Sequence, residues 1–276
     1  MKIMVILTEN WVKLCFTLFL LLIEAGIAML FPLFIGYAID HVINGSYVGV
    51  IQLGFLGFAS LIVGVGRRVF DSRLYAQMYQ TMGVRAISNM KDAQPSIKSA
   101  RLGMIREWVE FMENSLPELI HAVLGLFGVI LIIATLNLWV FYASLIVSLV
   151  IFLVYGLTRK KTMRLNKSSN DEWEKQVDIL NRNDKHALSL HLKEMMKWNV
   201  RLSDLEAGNF SISWIILISF LLVSIHIGVG NGMVKYGALF SLIMYIFQYM
   251  ENVANLPLFY QNWLRLKEIK GRIESL

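Results

Sequence analysis

A single cysteine, Cys15, stands in the 276 residues, within an apolar stretch. One thiol permits neither a disulfide framework nor a thiolate metal site, so Cys15 reads as a small buried apolar residue. Proline is scarce as well: four in the chain leave long stretches free to run as unbroken helix. Charged residues make up 17% against 56% hydrophobic, and the mean hydropathy is +0.56, which is too apolar for a soluble domain. No GxxxxGK[ST] stretch occurs, so no glycine-rich loop cradles phosphates. No nucleophile, base and orienting group fall at a recognisable spacing, which argues against an enzyme and leaves no catalytic residue to name. His186 and His191 are five apart and do not share a helix face as i, i+4 ligands would, so no metal and no cofactor are expected.

What remains is grease with one-sided charge. Apolar stretches cover residues 14–39, 48–65, 119–136, 138–157, 210–229 and 233–250. Each is near the roughly 20 residues that cross about 30 Å of hydrocarbon as helix, the form that pairs every backbone group within the segment. The first is long enough to tilt, and the residues before it lack a small-residue cleavage site, so it is expected to remain in the mature protein. Six crossings put both termini on one side. All of the 26 lysines and arginines except Lys235 then fall on that side, which the positive-inside rule makes the cytoplasm. The expected location is the inner membrane, multi-pass, with the net charge of +6 directed to the inner leaflet rather than to nucleic acid.

The loops between crossings are short outside but roughly fifty residues long inside, twice, far beyond ordinary connections. In the first inner block Phe70, Leu74, Met78 and Met82 recur every four residues among Arg73, Gln77, Gln80 and Arg85. That period is helical and continues the second crossing into the cytosol, for about 60 Å from residue 50 to 90. Pro95 supplies the turn, and Ile105, Val109, Met112 and Leu116 bring a second helix back. The block 159–204 repeats the scheme, with Trp173, Val177 and Leu180 going out and Leu188, Leu192, Met195 and Leu202 returning. The predicted fold is all-α: six transmembrane helices with two long cytoplasmic helical hairpins, forming one domain over 1–276.

Three stretches give that outline a family character. Residues 33–40, LFIGYAID, close the first helix with a glycine and a final aspartate. Residues 101–119, RLGMIREWVEFMENSLPEL, carry Gly103, Arg106, Leu116 and Pro117 in order, and residues 256–273 carry Pro257, Leu266 and Arg272. In order and spacing across the whole chain they resemble the transmembrane domain of an ABC exporter of the six-helix kind. The usual Asn-Asp pair of the second stretch is replaced here by the segment from Glu107 to Glu110. The resemblance implies a helix-swapped homodimer, with twelve helices enclosing a path, and coupling helices at the hairpin tips. The candidates there are Lys91, Pro95, Lys98, His186, His191 and Trp198. The given sequence stops where the family's nucleotide-binding domain would begin, so the expectation is a separate ATP-binding subunit docked near 91–100 and 186–198, a fold that works without ATP as a gradient-driven or passive carrier, or a longer chain trimmed of its ATPase.

A charge at mid-bilayer costs about 2.5–3.5 kcal/mol on insertion scales, so intramembrane polar residues are candidates for function. Tyr245, Gln248, Glu251, Asn252 and Asn255 form a polar stripe at helical spacing on the last crossing, which in the resembled family lines the central cavity. Helix-to-helix hydrogen bonding is the structural alternative for that stripe. Arg67 and Arg68 at the cytoplasmic mouth are candidates to attract an anionic solute, or else snorkel to headgroups. Glu24 and Glu251 are candidate proton carriers for an ATP-free cycle. Glu118 and His121 share a helix face, which reads as a salt bridge between them, and His226 reads as an interfacial histidine. The expected function is a transporter moving a small-molecule, amphipathic or peptide solute by alternating access. The alternative is a non-transporting scaffold or assembly protein built on the same fold.

Overall fold

A computed structural model of the chain describes residues 8–88, 90, 94–181, 184–230 and 235–274, with the side chains of all of these except 96, 97, 100, 174, 177, 178 and 256–274. The described residues are helical nearly throughout: α1 (Trp11–Ile43), α2 (Val48–Ser88), α3 (Pro95–Glu110), a π-helical turn (Phe111–Ser115), α4 (Leu116–Leu136), α5 (Leu138–Glu174), α6 (Gln176–Asn181), α7 (Lys185–Gly230) and α8 (Tyr236–Glu274). Pro32 lies inside α1 without ending it. Pro95 and Pro117 occupy first-turn positions, where a missing N–H costs nothing. Gly45, at φ 73°, takes the left-handed conformation in the tight link from α1 to α2.

Five helices among the described residues are long and apolar enough to cross a membrane: Trp11–Ile43, Val48–Ser88, Arg101–Leu136, Leu138–Trp173 and Lys185–Gly230. The sixth expected crossing, 233–250, begins outside the described residues, and α8 is not among the five. Many large apolar side chains on these helices are exposed, among them Phe55, Phe127, Phe152 and Leu157. Outward-facing grease of this kind is what lipid solvates. Cys15 belongs to this outward set: it is exposed rather than buried as composition suggested, because its apolar surroundings are helix faces turned away from the protein.

The chain groups into two compact units, one of Met1–Leu138 with Gly228–Leu276 and one of Trp139–Ile227. In the first, α1 packs along α2, α4 and α8, and α4 packs on α8. The α1–α8 seam is the tightest: a Cβ on Gly36 would overlap the carbonyl of Gly237, and one on Gly237 would overlap that of Gly36. Small residues let helices approach in a membrane, and here polar groups lock the approach. Asp40 Oδ1 accepts from the Gly237 N–H at 2.8 Å, and Ser241 Oγ donates to the Pro32 carbonyl at 2.8 Å. The aspartate that closes LFIGYAID therefore fixes the start of α8.

The second half of α2 packs on α3 as a helical hairpin whose core is Leu74, Tyr75, Met78, Met82, Ile105, Trp108 and Val109, with Phe70 and Met112 beside it. The four-residue period found in the sequence is the face that meets in this core. In the second unit the expected apolar seam packs only in part: Met195 is buried and Leu188 and Leu202 are half-buried. Trp173, Leu180 and Leu192 are exposed, and Val177 has a side chain outside the described set. Buried polar groups replace them: His191 Nδ1 lies 2.9 Å from Glu172 Oε1, Ser169 donates to Asn199 at 3.3 Å, and Asn209 donates to Thr158 at 3.0 Å. Hydrogen-bonded pairs at these positions help hold α5 against α7 beside that partial apolar seam.

Candidate functional site: a charged cavity among α1, α2, α4 and α8

The first unit carries an open cavity of about 1300 Å³ with walls from α1, α2, the π-helical turn, α4 and α8. Local sequence makes the room. Gly64 on α2 stands where a Cβ would lie 3.4 Å from Glu24 Oε1, and Gly125 on α4 where one would lie 3.1 Å from Asn252 Nδ2. The π-helical turn places Glu113 and Asn114 on the cavity wall, and such turns, with one residue more than an α-helical turn, redirect side chains at functional sites.

An ion network crosses the cavity wall. Arg67 donates from Nε to Glu24 on α1 and from Nη1 to Asp71 at 2.8 Å, one turn further along α2. Asp71, buried, also accepts from Thr17 Oγ1 at 2.8 Å, and His121 Nε2 of α4 lies 3.7 Å from Glu24 Oε2. Thus one arginine and two carboxylates tie α1 to α2, with α4 approaching through its histidine. Each buried charge is paired, as burial demands. His121 meets Glu24 rather than Glu118: a partner on a facing helix outcompetes the one a turn away.

Of the residues expected to meet solute, Gln248, Glu251, Asn252 and Asn255 of α8 line this cavity, as do Arg67, Arg68 and Glu24. Tyr245 is apart from that lining: it is fully buried and its hydroxyl donates to the Met29 carbonyl at 2.8 Å, in the seam between α8 and α1. Asp71, Glu113 and Asn114 are lining residues that sequence reasoning passed over, while Glu118 and His121, read there as a salt bridge, also line it. Only Asp71 carried a signal, as the i+4 partner of an arginine. The wall bears five carboxylates, those of Glu24, Asp71, Glu113, Glu118 and Glu251, against two guanidiniums, and Arg67 is held by two of the acids.

The hairpin candidates fall in both units. Pro95 opens α3 and is exposed, Lys98 is half-buried in the same helix, and Lys91 lies outside the described residues. In the second unit His186 is exposed, with its backbone N–H donating to Asp184 Oδ1 at 2.8 Å, while His191 is buried against Glu172. Lys175 also donates to Glu172, at 2.7 Å, and that bond raises the lysine's pKa. Trp198 carries Lys197 and Arg201 over its ring, at 5.8 and 5.1 Å from the centroid. No group of three or more metal-binding side chains occurs among the described residues.

Apolar helices of membrane-crossing length around a paired-charge cavity define a multi-pass membrane protein with a polar interior. Over residues 3–237 the chain matches the family described as ABC transporter transmembrane region, and it belongs to that family. No curated protein matches it at a significant level.

Proposed function

We propose that this domain forms the solute path of a transporter in the inner membrane, working by alternating access around the cavity of α1, α2, α4 and α8. The observation that carries the reading is the cavity wall itself. Within helices otherwise turned to lipid, it gathers Gln248, Glu251, Asn252 and Asn255 opposite an ion network, and polar groups at membrane depth face protein or water. The acid surplus, with Arg67 already held, disfavours an anionic solute and suits a neutral or cationic amphipath.

In this reading α8 makes the sixth crossing, both termini are cytoplasmic, and the α2–α3 and α5–α7 hairpins project into the cell. The working unit is a homodimer in which the α5–α7 unit is exchanged between copies. Its separation from the rest of the chain as a compact unit supports that arrangement. No P-loop lies within these 276 residues, and ATP, where it drives the cycle, is hydrolysed by an ATP-binding partner docked on the hairpins. Transport in proteoliposomes with an imposed pH gradient, comparing wild type with Glu24→Gln and Glu251→Gln, decides the energy source. Loss of gradient-driven uptake in either variant assigns proton coupling to that carboxylate. Unchanged rates in both remove these two carboxylates as proton carriers, and absence of any solute movement, with or without ATPase, removes the transporter reading.

A further inference from the structure

We propose that one face of α5, from Lys160 to Lys167, is a binding surface for the headgroups of anionic phospholipids. Residues Ile146, Leu149, Leu153, Leu157, Lys160, Arg164 and Lys167 are spaced three or four apart and so share one stripe of the helix, within about 80° of arc. All seven are exposed, Leu157 by 84%. The opposite face carries Val140, Ser144, Ile151 and Ser169, which are buried, and Thr158, which holds Asn209 of α7. The stripe is thus turned away from the seam with α7, and its first half is an apolar surface that lipid tails cover.

Along this one face the chemistry changes from aliphatic to cationic within three residues, about 4.5 Å of helix. That step matches the boundary between hydrocarbon and headgroup, where a lysine or arginine meets lipid phosphate. Arg159 and Lys161 flank the stripe, making five exposed cations in nine residues, with no carboxylate between Leu138 and Asn170. No ion pair or hydrogen bond within the described residues occupies any of the five. Five cations elsewhere are ion-paired: Arg67 with Glu24, Arg85 with Glu9, Arg106 with Glu110, Lys175 with Glu172, and Lys197 with Glu194. A cationic block left unpaired where an apolar face ends is complementary to an anionic membrane surface, and each cation there strengthens attachment roughly five-fold.

The test uses the full chain purified in detergent and titrated with phosphatidylglycerol or phosphatidylcholine, with bound lipid counted by native mass spectrometry. Wild type is compared with Lys160→Gln/Arg164→Gln/Lys167→Gln and with a charge-matched control, Arg73→Gln/Lys185→Gln/Lys193→Gln. Circular dichroism checks that each variant keeps its helix content. Wild type and control should prefer phosphatidylglycerol, and the stripe variant should lose affinity for it by roughly a hundredfold. Equal loss in stripe and control variants, or no preference between the lipids in wild type, overturns the proposal. So does efficient disulfide cross-linking of Arg164→Cys between two copies, which would mean that this face is covered by protein.

Discussion

Arg67 and Glu24 join α2 to α1 by a direct hydrogen bond at the cavity wall, and the same guanidinium reaches Asp71 at 2.8 Å. One arginine thus pairs with two carboxylates where an unpaired charge would be costly, and this ion network ties α1 to α2 at the cavity wall.

Removing either end of that pair should leave a partner charge stranded. Arg67→Gln is expected to cost about 3 kcal/mol, seen as a melting midpoint lower by roughly 5–10 °C in detergent. Glu24→Gln should lower it less, since Asp71 still holds the arginine. The double variant should fall short of the sum of the two, and strict additivity would mean that the pair does not couple.

The glycine crossing makes a sharper contrast. Gly36→Ala or Gly237→Ala should destabilise by about 3 kcal/mol, at the upper end for overpacking, because the facing wall is backbone and cannot yield. Gly54→Ala, on α2 with open space around it, should be neutral or stabilising by about 0.5–1 kcal/mol. Thermal melts of the three variants side by side check both directions.

Tyr245 and Gln248 separate structure from transport. Tyr245→Phe removes the donor to the Met29 carbonyl and should cost about 1 kcal/mol of stability while leaving transport rates near wild type. Gln248→Ala should do the reverse, lowering transport with little change in the melt. An exchange of these two phenotypes would assign solute contact to Tyr245.

The α2–α3 hairpin should loosen when its core is hollowed. Met78 and Met82 are almost fully buried, and truncating either to alanine is expected to cost about 2–5 kcal/mol. Trypsin should then cut faster after Arg73, Arg85 and Arg106, measured by mass spectrometry of the fragments.

Much of the fold was legible because two periods are strong. Stretches of apolar residues long enough to cross a bilayer gave the apolar helices, and the recurrence of Phe70, Leu74, Met78 and Met82 gave the hairpin that packs in the structure. The second hairpin was misread at Trp173, Leu180 and Leu192 because apolar period alone does not reveal a seam held by His191, Ser169 and Asn209. At the cavity, the stripe on α8 was visible except for Tyr245, whose ring lies one turn before Gln248 yet is directed to α1. The network around Glu24 was not legible, since Glu24, Arg67 and His121 are far apart in the chain and meet only through the packing of α1, α2 and α4.

The most direct test of the central claim is reaction of a cysteine placed in the cavity, Asn252→Cys in a Cys15→Ser background, with a membrane-impermeant maleimide applied to right-side-out and inside-out vesicles. A water-filled path with alternating access predicts labelling from the cytoplasmic face at rest and from the outer face once solute or the partner ATPase shifts the cycle. No labelling from either face, while a Thr8→Cys control reacts readily, would show a closed dry interior and contradict the account.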